Sequence, residues 1–173
     1  MHKQNHPLRP ICSSVNSFNY QLASELANIL STYSNSTYTV KNSFSFVNEI
    51  QNQDSTSCHV CSFDVSSLFT CIPLDETINI ALDYVFGSQS TVHGLSRTQF
   101  KKLLEMATKE NNFIFDGKCY DQVDGVAMGS PLAPILANIF IRSFEEKAFQ
   151  NYNGIQPTFY IDRDFFTKNW QIG

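Results

Sequence analysis

Apolar residues return at helical spacing over residues 20–33, where Leu22, Leu26, Ile29, Leu30 and Tyr33 fall on one face. A polar Ser/Thr/Asn stretch follows at 34–39. Phe44, Phe46, Val47 and Ile50 then make a short apolar segment whose spacing does not decide its type, and 51–57 is a loop by composition. The run 58–65 reads as a buried strand ending near an acid. Pro73, Leu74, Asp75 and Glu76 open a helix with acids in its first turn, where the helix dipole favours them. Ile78, Ala81, Leu82 and Val85 form its apolar stripe and Gly87 ends it. Ser96 with Gln99 is a capping box ahead of a helix with Phe100, Leu103, Leu104 and Ala107 on its inner face. Residues 113–123 read as a hairpin turning at Asp116-Gly117, a pair suited to positive φ. Ser130 and Pro131 are a natural N-cap and first helical residue. Leu132, Ile135, Leu136, Ile139 and Phe140 continue that helix toward Glu145-Glu146-Lys147. After a loop at 150–157, Phe159-Tyr160-Ile161 looks like the start of a last strand. Without internal repeats or a linker, the pattern predicts one domain.

Composition sharpens this picture. The 173 residues suit one domain or a piece of a larger one. Fifteen Phe and 7 Tyr argue against disorder. Twelve Lys+Arg against 16 Asp+Glu leave −4, which excludes a protein that grips nucleic acid by bulk charge, though not a local basic groove. No apolar run is long enough for a membrane helix, so no membrane partner is expected. The polar start at 1–14 is unlike a secretory signal, and the Asn35-Ser36-Thr37 sequon therefore carries little weight. Cys12, Cys58, Cys61, Cys71 and Cys119 are dispersed and odd in number. They read as reduced thiols of an intracellular protein, nuclear or cytoplasmic and not secreted. Cys58-His59-Val60-Cys61 has zinc-like spacing, but no second pair follows, and positions three apart on a strand face opposite ways. No zinc is expected; the expectation is small buried thiols.

Asp64 at a strand end, with Asp162 and Asp164 late in the chain, is an acidic set of the kind two-metal phosphoryl transfer uses, because hard Mg²⁺ ions take carboxylate and phosphate oxygens. Position alone is a weak signal, since most such acids are solvated or cap helices. Gly129-Ser130-Pro131 at a helix start suits close approach of a nucleotide, though on this fragment alone a well-capped helix is the better reading.

Two longer phrases are more specific. Residues 62–77, SFDVSSLFTCIPLDET, resemble the first metal-binding motif of reverse transcriptases, with the nearest likeness in the Penelope-like retroelements. Residues 124–138, DGVAMGSPLAPILAN, resemble the second palm motif. Leu8-Arg9-Pro10-Ile11 looks like the end of a fingers motif, and Lys41-Asn42-Ser43-Phe44 fits the region linking it to the palm. The resemblance implies an α/β (α+β) fold, a partial right-hand polymerase palm with part of the fingers, its antiparallel sheet backed by helices. Residues 1–57 would be the fingers remnant and linking region, and 58–173 the palm, ending before a thumb. It implies RNA-directed DNA synthesis from an RNA template, a DNA primer and dNTPs, by two-metal nucleotidyl transfer with Mg²⁺. Asp64 and the Val65 carbonyl would bind metal, together with Asp162 or Asp164. Phe69 would screen the 2′-OH of the incoming nucleotide. Gly129, Ser130 and Pro131 would shape the floor beneath it, and Arg9 would neutralise triphosphate charge.

The third motif departs from the family's Tyr-x-Asp-Asp. The chain reads Tyr160-Ile161-Asp162-Arg163-Asp164-Phe165. Alignment on Tyr160 keeps Asp162 as the first acid; alignment on the following Phe keeps Asp164 as the second. Either register places Arg163 among the acids, where a cation opposes divalent metals. The expectation is a fragment, a decayed element copy or a partial gene model, with little or no polymerase activity. The alternatives are a catalytically dead nucleic-acid-binding remnant, a pseudogene product without function, or a zinc-binding interaction domain resting on Cys58 and Cys61.

Overall fold

A computed structural model describes residues 14–40, 42–52, 61–109, 111–154, 157 and 159–163. Four helices make the core: α1 (Tyr20–Leu30), α4 (Leu74–Phe86), α5 (Arg97–Lys109) and α6 (Leu132–Asn151). α4 packs on both α5 and α6, and α1 lies against α5 and α6. Their inner faces are the stripes of the sequence pattern. Leu26 and Leu30, Ile78, Leu82 and Val85, Phe100 and Leu104, and Leu132, Leu136 and Ile139 are all buried.

Between these helices lie two lesser ones, α2 (Ser43–Gln51) and the single turn α3 (Leu68–Cys71). Among the described residues there are six short strands: β1 (Thr39–Val40), β2 (Thr91–Val92), β3 (Leu95–Ser96), β4 (Asn112–Phe115), β5 (Lys118–Asp121) and β6 (Asp162–Arg163). They pair as three two-stranded ladders. β2–β3 and β4–β5 are antiparallel hairpins, and β2–β3 packs on α4 and α5. The third ladder, β1–β6, is parallel, with Thr39 opposite Asp162. The fold is therefore mixed, with small antiparallel sheets backed by helices, and fits a partial polymerase palm.

Local chemistry accounts for the boundaries. The Ser96 hydroxyl faces Gln99 Oε1 at 2.9 Å and accepts from the Gln99 N–H at 3.4 Å, closing the capping box at the start of α5. Asp116 and Gly117 turn the β4–β5 hairpin with φ of 50° and 72°. At the head of α6, Ser130 Oγ accepts from the Leu132 N–H and Pro131 is already helical. Pro134 also falls in this first turn, where a missing N–H costs no intrahelical bond. The undecided apolar segment is α2, started by the Asn42 side chain accepting from the Ser45 N–H.

Three expectations change. Residues 61–65 of the expected strand are irregular and exposed, with Phe63 90% accessible. An apolar run becomes a strand only with a partner for its backbone, and no ladder among the described residues reaches it. Cys61 lies in that segment and is exposed, as are Cys71 and Cys119, so the expectation of small buried thiols fails for Cys61; Cys58 is outside the described residues. The last strand forms at 162–163 rather than from 159, because its parallel partner β1 is only two residues long.

Candidate active site

The first phrase enters the structure as an exposed loop. Asp64 is exposed and Val65 is half exposed. Ser67 then takes a left-handed conformation (φ 56°). Its carbonyl accepts from the backbone N–H groups of Thr70 and Cys71, both at 3.1 Å, and so starts α3. That turn directs Phe69 inward, half buried against the core.

The second phrase meets the first through the backbone. The Val126 N–H donates to the Phe69 carbonyl at 2.8 Å. Gly125, with φ 70°, lies directly beneath: a Cβ there would stand 2.2 Å from the Phe69 oxygen and 2.7 Å from Thr70 Cα. Only glycine tolerates both the left-handed conformation and this approach. Gly129, Ser130 and Pro131 follow, half buried at the head of α6. The Ser130 N–H donates to the Ala127 carbonyl at 2.9 Å, and Ser14 Oγ donates to the Gly129 carbonyl. The loop that could approach a nucleotide is thus braced from both sides.

α6 is anchored to α4 behind this loop. Arg142 Nε donates to Glu146 Oε1 at 2.8 Å, one of its terminal nitrogens donates to the Tyr33 carbonyl at 2.9 Å, and its guanidinium lies 4.4 Å from the Tyr84 ring centroid. The Tyr84 hydroxyl donates to Glu146 Oε2 at 2.7 Å. Burial, then the bond and charge of Glu146, push the Tyr84 phenol up to about 12. Burial opposes ionisation of Glu146, but the bonds from Arg142 and Tyr84 outweigh it and hold this carboxyl below its ordinary value. Nearer the start of α4, a hydrogen bond from Lys109 holds Asp75 low.

Residues 162 and 163 form β6, whose backbone pairs Asp162 with Thr39 and Arg163 with Val40. Arg9 and Asp164 lie outside the described residues. Among the described residues no group of three or more His, Cys, Asp or Glu is placed to hold a metal ion. An open cleft of about 410 Å³, lined by Phe18, Lys109, Asn111, Asn112 and Asp121, includes none of the motif residues.

The structure thus joins Phe69 to Gly125 and Val126 and braces Gly129 to Pro131. The family described as Reverse transcriptase (RNA-dependent DNA polymerase) matches residues 1–166. The chain belongs to the reverse transcriptase family. Comparison with curated proteins and with solved structures finds no match. No described helix is long and apolar enough to cross a membrane.

Two residues with structural constraints were not singled out in the sequence reading. Gly125 entered only as one position of the phrase 124–138. Glu145 falls on the inner side of α6 and is buried, and the signal was an acid within a helix otherwise read for its apolar face.

Proposed function

We propose that this chain is the reverse transcriptase domain of a Penelope-like retroelement and that it makes little or no DNA itself. The domain would divide into fingers and linking region at 1–57 and palm at 58–173. In this reading Phe69 presses its ring toward the sugar of an incoming dNTP and excludes a 2′-OH by bulk. The main-chain contact of Gly125 and Val126 with Phe69 would hold that segment beside the Gly129-Ser130-Pro131 floor. Arg9 would meet the triphosphate. Mg²⁺, held by Asp64, the Val65 carbonyl and Asp162 or Asp164, would supply charge stabilisation and activation of the primer 3′-OH.

The observation that carries the low-activity reading is Arg163, a cation between the two acids of the third motif. Template recognition depends on other residues, so binding and synthesis separate. The test of the family reading is fluorescence anisotropy with a labelled RNA–DNA hybrid over about 50–200 mM salt. Saturable binding at low salt that weakens steeply as salt rises is expected, since phosphate contacts release counterions. Absence of binding at the low end would overturn the nucleic-acid reading. Hybrid binding without synthesis is what a catalytically dead nucleic-acid-binding remnant would show.

A further inference from the structure

One buried carboxylate joins the approaches to both strands of the parallel ladder. Glu145, on α6, is 4% exposed. Its Oε1 accepts from the Tyr160 hydroxyl at 2.5 Å, within the range of charge-assisted O–H bonds. Its Oε2 stands 3.4 Å from Ser36 Oγ. Ser36 Oγ in turn accepts from the Tyr38 N–H at 3.2 Å. Ser36 and Tyr38 lead into β1 and Tyr160 leads into β6, so the carboxylate faces the approaches to both strands.

Rings complete the socket. Phe149, one helical turn beyond Glu145 on α6, packs edge-on to Tyr160 with centroids 4.9 Å apart. Tyr38 meets Tyr160 edge-on at 5.2 Å and lies tilted against Phe149, 41° between planes, at 5.1 Å. Edge-to-face pairs at these distances favour one orientation of the ring. A ladder of two residues per strand supplies few hydrogen bonds of its own, and an isolated two-stranded pair is marginal in water. What holds β6 beside β1 must come largely from outside the ladder.

We infer that Glu145 is a positioning residue for the third motif: with Phe149 and Tyr38 it grips Tyr160 and so sets β6, carrying Asp162 and Arg163, in register with Thr39 and Val40. This rests on reading 157–166 as that motif. Tyr160 then serves as an anchor whose hydroxyl is committed to α6, and the strand's position depends on a helix that also carries the second palm motif at its head.

Backbone hydrogen exchange on the full chain tests it, because local opening and global unfolding separate there. Tyr160→Phe removes one oxygen and keeps the ring. Amides of β1 and β6 are expected to exchange about tenfold faster, the factor that loss of a bond to a charged group implies, while amides of α4 and α5 keep their rates. Glu145→Gln, which retains an acceptor oxygen, is expected to fall between Tyr160→Phe and wild type. Unchanged exchange at β1 and β6 in Tyr160→Phe would overturn the proposal. So would equal acceleration in all elements, which would mean a contribution to global stability only. The readout needs no polymerase activity, so its failure leaves the family reading standing, and a failed hybrid-binding experiment leaves the socket standing.

Discussion

A methyl group at position 125 would occupy the space of the Phe69 carbonyl oxygen, 2.2 Å away. It would also hold a side chain at φ 70°. The left-handed conformation alone costs about 1–2 kcal/mol, and forcing extra volume into a packed seam costs about 1–3 kcal/mol. Gly125→Ala should therefore lower the urea midpoint by the equivalent of at least about 2 kcal/mol. A midpoint equal to wild type would show that the two palm phrases are not in the close contact described. Tyr84 gives a second test at this scale, by pH. Its native value is raised to about 12, by burial and by Glu146, above the ordinary phenol value near 10. The native state keeps the proton longer than the unfolded chain does. The stabilisation is fully present below about pH 10 and is lost as pH rises from there through about 12. Stability measured across this window should fall more steeply for wild type than for Tyr84→Phe. Parallel curves would contradict the Tyr84–Glu146 bond.

At the scale of elements, the four core helices follow their apolar stripes closely. α4 buries Ile78, Ala81, Leu82 and Val85, and α5 buries Phe100, Leu104 and Ala107. Helical periodicity is self-contained, since each helix satisfies its own backbone, so one segment's sequence suffices to read it. Leu104→Ala should cost about 2–5 kcal/mol, read as a fall in thermal or urea stability. A loss below about 1 kcal/mol would place Leu104 outside the core. Strands depend on a partner elsewhere in the chain, and there the reading was poorer. The β4–β5 hairpin was legible because its partner is adjacent and Asp116-Gly117 announces the turn. The strand expected at 58–65 gave no such local assurance, and its described part is exposed loop. The β1–β6 pairing joins residues more than 120 positions apart, and nothing local in Thr39-Val40 points to it. α2 shows the limit for short segments: Phe44, Phe46, Val47 and Ile50 are all exposed, and only the Asn42 cap marked a helix start.

For the whole molecule, the family was legible because two long phrases survive in order, and residues 1–166 match the reverse transcriptase family. The candidate site was legible as residue types. The contacts that assemble it were not: the Phe69–Val126 bond runs between main chains, and the Glu145–Tyr160 bond joins a helix to a distant strand. The −4 charge excludes nucleic-acid binding through bulk charge alone, so in the proposed reading binding would rest on local contacts, and low activity would follow from Arg163 standing between Asp162 and Asp164. The most direct measurement is primer extension by the purified 173-residue chain on a poly(rA)/oligo(dT) template with Mg²⁺ or Mn²⁺. Extension no greater than the no-protein control is predicted with either metal. Robust, template-dependent extension would contradict the account.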